Sequence, residues 1–145
     1  MLDDKSGILE CAVFGEGYDK YKELLNNSGI VIVEGNVAID SFSNTPRLTV
    51  DKLYDIEQAR AAFSKAIQFN WHSDSAASAI QWLNRLRDIL TEHSKGQCPV
   101  EIHYSSNQAK ASLRLGDAWR VQPTDELIRK LTRLPGSSAV EIKYK

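Results

Sequence analysis

Adjacent carboxylates at Asp3 and Asp4 are the first side chains here whose type suits catalysis, because metal-dependent phosphoryl transfer begins from such groups. That chemistry needs further acidic ligands converging on the ions, whereas Lys5, Ser6 and Gly7 follow as turn residues. Gly15-Glu16-Gly17 opens a helical pattern like a phosphate cradle, but the third glycine is missing and Glu16 would repel the anion. His72, His93 and His103 have no cysteine or second histidine at ligand spacing, so no metal site is expected. The serines cluster in turns and caps, and neither Cys11 nor Cys98 sits in a nucleophile motif. No catalytic residue and no cofactor site is expected.

Binding chemistry is better represented. Phe14, Tyr18, Tyr21 and Phe42 interleave with Lys20, Lys22 and Arg47, the mixture of stacking faces and cations that single-stranded nucleic acid uses. Periodicity assigns Phe14, Tyr18 and Tyr21 to the core. Phe42 and Arg47, with Lys20, remain as candidate nucleic-acid contacts. Farther along lies a cationic set that includes Arg114, Arg120, Arg129, Lys130, Arg133, Lys143 and Lys145. Such a set suits a solvated face or a protein-docking surface, for which Trp119 and Tyr144 are the natural anchors.

These groups must be positioned by short elements. Ile8 to Phe14 reads as a strand, and Tyr18, Tyr21 and Leu25 share one helical face before the stop Asn26-Asn27-Ser28-Gly29. Ile30 to Val33 continues as a strand through Val37 and Ile39, with Gly35 marking a bulge. Ser41 to Pro46 is a loop carrying Phe42, and Arg47 to Val50 is the returning strand. Asp55 caps a helix running to about residue 65. Ala66 to Trp71 is strand-like, and Ser73-Asp74-Ser75 precedes a long helix with Ala79, Leu83, Leu86 and Leu90 on one face. Val100 to Tyr104 and Ala109 to Leu115 alternate as a hairpin with one wet face. A helix from Pro123-Thr124-Asp125 puts Leu127, Leu131 and Leu134 on one face, and Val140, Ile142 and Tyr144 alternate as a last strand. The second half therefore reads strand, helix, hairpin, helix, strand, compatible with two helices covering one face of an antiparallel sheet.

The predicted class is α+β, in two modules of about residues 1–60 and 61–145. Charge divides the same way: 6 basic and 11 acidic residues in the first module (net −5), 12 and 8 in the second (net +4). An overall charge of −1 excludes a polybasic coat for nucleic acid or membrane. The separated cysteines suit reduced structural thiols, and no apolar run approaches membrane-spanning length, so the cytoplasm is the expected compartment.

The run from Leu2 to Phe42 resembles the latter part of the OB-fold domain in the alpha subunit of bacterial DNA polymerase III. Asp4, Gly7, Glu10 and Phe14 meet its Asp-x-x-Gly-x-x-Glu-x-x-x-Phe spacing, and Val33-Glu34-Gly35 its turn. GQCPVEIHY, LRLGDAWRVQPTDELIRKL and VEIKYK resemble the tail domain of that subunit in the same order, with Gly116, Trp119, Arg120, Val121, Pro123, Thr124 and Asp125 meeting one block. The resemblance implies a truncated OB-fold β-barrel, lacking its first strand and most of its second, then a small α+β tail domain. It implies a non-catalytic piece of a DNA-directed DNA polymerase serving DNA replication. Its OB part would be associated with single-stranded DNA, and its tail would tether the polymerase to the tau subunit of the clamp loader. The expected docking or supporting residues are Trp119, Leu127, Leu131, Ile142 and Tyr144, whose periodicity suits a core role equally. Contact with the beta sliding clamp is left open. The rival reading is a free-standing single-stranded nucleic-acid-binding OB module.

Overall fold

A computed structural model describes residues 1–26 and 29–145, apart from the side chain of Ala76. The described residues form two compact units, Met1–Gln58 and Ala59–Lys145. Among the described residues the architecture is mixed α+β, with four α-helices and two open four-stranded sheets.

In the first unit, β1 (Leu2–Asp3) and β2 (Ile8–Ala12) pair antiparallel around a tight turn. Asp4 makes that turn: its Oδ1 accepts from the Ser6 amide at 2.9 Å, the Ser6 hydroxyl at 2.6 Å and the Gly7 amide at 3.1 Å. These bonds, the Ser6 hydroxyl foremost, hold the Asp4 carboxyl below its ordinary value. The acidic pair is thus consumed by turn geometry, as its neighbours predict.

Helix α1 (Glu16–Asn26) connects to β3 (Ile32–Ile39), which pairs antiparallel with β4 (Pro46–Tyr54), and β4 pairs parallel with β2. The sheet order is β1-β2-β4-β3, and no closed barrel exists among the described residues. The expected bulge at Gly35 is present as a register shift between Glu34 and Gly35. A Cβ at Gly35 would fall 2.0 Å from the Thr49 carbonyl oxygen, so the strands' close approach requires glycine. Strand β4 runs four residues beyond the expected Val50, because β3 continues to pair with it up to Tyr54. Of the expected helix stop, Asn27 and Ser28 lie outside the described residues.

Two assignments to the first core are corrected. Tyr21 is buried, but Phe14 is 67% exposed and Tyr18 is half exposed. Strand β2 ends at Ala12, so Phe14 lies beyond the alternation that would have turned it inward.

Helix α2 (Ile56–Phe63) starts from a reciprocal cap: the Gln58 amide donates to Asp55 Oδ1 at 2.7 Å and the Asp55 amide to Gln58 Oε1 at 3.2 Å. It stops two residues before the expected end because Ser64 and Lys65 already belong to β5 (Ser64–His72). There follow α3 (Ala76–Glu92), β6 (Val100–Ser105), β7 (Lys110–Arg114), a 3-10 turn at Asp117–Trp119, α4 (Asp125–Thr132) and β8 (Ser137–Tyr144). Thr124 caps α4, its hydroxyl oxygen accepting from the Leu127 amide at 3.2 Å.

The second sheet has the order β7-β6-β5-β8 and is mixed, not antiparallel as its hairpin pattern suggests. Strands β5 and β6 run parallel because α3 carries the chain back between them, the connection that parallel neighbours need. Ile67, Phe69 and Trp71 from β5, Val100 and Ile102 from β6, Trp82, Leu86 and Leu90 from α3 and Leu127 and Leu131 from α4 make one core. Leu83, expected on the buried face of α3, is half exposed, and Trp82 takes its place against the sheet. All of β7 is exposed, so the buried face of the expected hairpin lies in β6, with Leu115, just past β7, packed half-buried against the core.

Candidate functional site

Phe42 stands fully exposed on a turn that Asp40 fastens. Asp40 Oδ1 accepts from the Phe42 and Ser43 amides at 2.8 and 3.0 Å, and its backbone carbonyl from the Asn44 amide at 2.8 Å. The Asp40 carboxyl is held below its ordinary value by the Ser43 and Phe42 amides, then by Arg47. The aromatic is therefore presented on a fixed platform, which limits the entropy lost when a ring stacks on it.

Arg47 is brought to the same platform with its charge already answered. Its guanidinium forks onto Glu10 and also meets Asp40 Oδ2 at 3.1 Å. Glu10 is the main reason its pKa is raised. A phosphate at Arg47 would have to displace two carboxylates, and counterion release at this position would be small. Lys20 lies on α1 over the Tyr21 ring, 5.1 Å from its centroid, and shares none of the Asp40 and Glu10 contacts that hold Phe42 and Arg47. The structure thus joins Phe42 and Arg47 through Asp40 and leaves Lys20 apart.

In the second unit the five docking candidates separate by burial. Leu127 and Leu131 are 0% exposed and form the core, while Trp119 and Ile142 pack against it half-buried. Tyr144 alone is mostly open, at 53%. Its strand is anchored where β5 begins: Ser64 pairs with Tyr144, and the Lys145 amide donates to the Phe63 carbonyl at 3.0 Å. The block around Trp119 is tied down by Arg120, whose Nε donates to Asp117 Oδ1 and whose Nη1 donates to the Gln97 carbonyl, each at 2.9 Å. Gly96 lies against this block, and a Cβ there would fall 1.9 Å from the Val121 carbonyl oxygen.

Three constellations escaped the sequence reading. Glu92, His93 and Glu126 bring one ligand atom each to within 4.8 Å of one another, a donor set that suits a cation. Lys130 already supplies one, its Nζ 2.6 Å from Glu92 Oε2 and 2.9 Å from Glu126 Oε1. Hydrogen bonds to Glu92 and Glu126 raise the Lys130 pKa, and Lys130 lowers that of Glu126. The only warning in the sequence was the Glu126 to Lys130 spacing of four residues; Glu92 comes from another helix.

The second is a chain of polar contacts at the end of β5. His72 Nε2 lies 2.9 Å from Asp74 Oδ2 and its Nδ1 lies 3.2 Å from Ser105 Oγ. Asp74 Oδ1 accepts from the Asn107 amide at 2.8 Å, and the Tyr104 hydroxyl donates to the Ser73 carbonyl at 3.0 Å. The Asn107 amide is the main reason the Asp74 carboxyl is held below its ordinary value. Every member is thereby tied into a clasp between the β5–α3 loop and the β6–β7 turn. The third is a tryptophan pair: Trp71 and Trp82 stack at 3.9 Å with planes 6° apart, beside a cavity of about 350 Å³.

Both cysteines are free. Cys98 is buried, and burial pushes its thiol up, which makes it a poor nucleophile. No helix among the described residues is long and apolar enough to cross a membrane.

With this geometry in view, comparison with known proteins decides the relationship. The family described as "DNA polymerase III subunit alpha, C-terminal domain" matches residues 85–136, from the middle of α3 through α4. DNA polymerase III subunit alpha of Escherichia coli K12 is 38% identical over 143 residues, covering 99% of this chain. The chain is homologous to the C-terminal part of DNA polymerase III alpha. The alpha subunits of Pseudomonas aeruginosa, at 34% over 145 residues, and Pasteurella multocida, at 32% over 143, agree. This chain spans 12% of the length of each of these alpha subunits. The family match includes the Gly116 to Asp125 block on which the resemblance rested.

Proposed function

We propose that the chain is a non-catalytic C-terminal segment of a replicative DNA polymerase alpha subunit, cytoplasmic, and working by tethering. Its second unit docks the tau subunit of the clamp loader, which raises the polymerase's local concentration at the fork. The first unit is part of an OB fold that lies near single-stranded template in the intact subunit. One observation supports this best: relatives at 32 to 38% identity align with nearly all of the chain. The well-packed second unit, with Tyr144 exposed on its last strand and Trp119 half-buried against its core, suits a docking platform.

Titration of this chain with the C-terminal region of tau, followed by calorimetry, tests the reading. Saturable binding is expected, weakened by Tyr144→Ala without loss of folded structure. Failure of a folded sample to bind, while the full-length polymerase binds, would refute it. A free-standing single-strand binder is disfavoured by the compensated charge of Arg47. An unstructured oligonucleotide should accordingly bind weakly, with a shallow dependence on salt. Contact with the beta sliding clamp is tested in the same format.

A further inference from the structure

Glu92 ends α3, His93 caps it, and Glu126 lies in the first turn of α4. One ligand atom from each lies within 4.8 Å of the others. Two carboxylates over a lysine are an ordinary surface arrangement, and the imidazole is what sets this cluster apart. His93 Nε2 is buried and has no hydrogen-bond partner among the described residues. A buried ring nitrogen is nearly always paired, with a hydrogen-bonding group or with a metal ion.

The main chain beneath these donors is fixed. The His93 amide donates to the Leu90 carbonyl at 3.2 Å, and the His93 carbonyl accepts from the Gln122 amide at 2.9 Å. The Thr124 cap holds the turn that carries Glu126. The carboxylates themselves can adjust, since the Glu92 and Glu126 side chains are 59% and 58% exposed. Closing on an ion from 4.8 Å to the roughly 3.4 Å between donors of a tetrahedral site asks for about an ångström of movement at each end.

Lys130 marks where the charge sits. Its Nζ lies 2.6 Å from Glu92 Oε2 and 2.9 Å from Glu126 Oε1, yet it leaves His93 Nε2 unpaired. The last turn of α3 has no basic residue of its own, so the negative end of that helix adds to the pull on a cation. A divalent ion would be neutralised by the two carboxylates and would use the imidazole as well. Magnesium and calcium take oxygen ligands in sixes or more, whereas a nitrogen with two carboxylates suits zinc, with water completing four.

We propose that Glu92, His93 and Glu126 form a site for a divalent transition-metal ion, zinc foremost, which enters by displacing the Lys130 ammonium. The bound ion ties the end of α3 to the start of α4, and Lys130 turns out to solvent. His93 thereby joins two carboxylates from different helices, a donor set that needs no second histidine or cysteine nearby in sequence.

Zinc is titrated into the 145-residue chain by calorimetry, and into the isotope-labelled chain while the imidazole signals are followed by NMR. One equivalent should bind with a Kd on the order of ten micromolar, weaker than a four-ligand structural site because one ligand fewer is present and an ammonium must leave. The His93 signal, assigned by its loss in His93→Gln, should move while those of His72 and His103 stay. Cobalt in place of zinc should give the visible absorption of a tetrahedral ion. Loss of even an outer partner of a bound metal costs ~10–100-fold, so His93→Gln and Glu126→Gln should each weaken binding by at least about ten-fold. Lys130→Met should tighten it about five-fold, the worth of two exposed ion pairs. Circular dichroism checks each fold, and the exposed Glu126 position keeps the test decisive if His93→Gln does not fold.

No binding of zinc by the wild-type chain up to about a millimolar overturns the proposal. So does a response of His72 or His103 ahead of His93, which would mean adventitious zinc, and so does an equal response to magnesium. Unchanged affinity in Glu126→Gln or in Lys130→Met would place the ion elsewhere and overturn it too. The tau titration is independent of all these outcomes.

Discussion

The two units spend similar apolar sequences in different ways. The second folds Ile67, Phe69, Val100, Val121, Leu127 and Leu131 to complete burial between one sheet and two helices. The first buries only Tyr21, Leu48 and Leu53 among its large described side chains, and leaves Ile8, Phe14, Ile30, Val37, Ile39 and Phe42 exposed. Hydrophobic stabilisation scales with the area removed from water, so the second sheet carries its own stability and the first carries much less. A two-layer arrangement of sheet and helices is what separates them. The four strands of the first unit have α1 as their main cover, and only Tyr21 of that helix is buried.

The sharpest way to break this contrast is to impose one steric insult on both units. Gly96 and Gly35 each lie so close to a backbone carbonyl that a Cβ would fall 1.9 and 2.0 Å from it. Gly96 is buried against Val121, so Gly96→Ala should cost ~3 kcal/mol or more, at the upper end of overpacking effects, and should unfold the second unit at low denaturant. Gly35 sits in a bulge on β3, an edge strand paired on one side only, so the backbone shift that a Cβ would force disturbs fewer neighbours. Gly35→Ala should cost about 1 kcal/mol. Equal losses in urea titrations would show that the first unit is as rigidly packed as the second.

A deletion of core volume comes next in size. Leu131→Ala should destabilise by ~2–5 kcal/mol, and Leu48→Ala by no more than about 2, because Leu48 has fewer buried neighbours to leave unsupported. The wild-type chain should lose tyrosine-reported structure in the first unit before tryptophan fluorescence changes, since all three tryptophans lie in the second. Coincident transitions would mean that the units fold as one.

Acid should produce the smallest effect, and in both units. Asp4 and Asp40 in the first and Asp74, Glu126 and Glu141 in the second all have pKa values lowered in the folded state. Lowered folded values mean that the unfolded chain takes up protons first. Their stabilisation is complete above the ordinary carboxylate values of 3.8 and 4.5 and is lost as pH falls through and below them. Thermal midpoints measured from pH 7 down to pH 3 should stay level and then decline. A midpoint that rises on acidification would contradict the assignment.

What the sequence disclosed was local. The Gly35 bulge was legible because glycine interrupts a β-branched run, and the caps at Asp55 and Thr124 because a side-chain oxygen and its amide partner lie three residues apart. What it concealed depends on which surfaces meet. Trp82 and Leu83 are neighbours on α3 with equal apolar claims, and it is Trp82 that meets Trp71 and Phe69 of β5. The parallel pairing of β5 with β6 was hidden because alternation in a strand gives its face and not its partner. The irregularity in β8, where Ala139 takes a φ of 49°, has no signature in residue type, since alanine is a poor choice for that conformation. The Arg47 pairing was unreadable for a similar reason: Glu10 is 37 residues away in sequence.

The hydrogen bond from the Lys145 amide to the Phe63 carbonyl makes the second unit finish where it starts. A short bridge joining those points would close it into a ring, and the exposed turn at Asn107 offers a place to reopen it. The sheet would then be assembled in a new chain order with the same neighbours. Its architecture is therefore a property of which strands lie side by side, and not of the order in which translation delivers them.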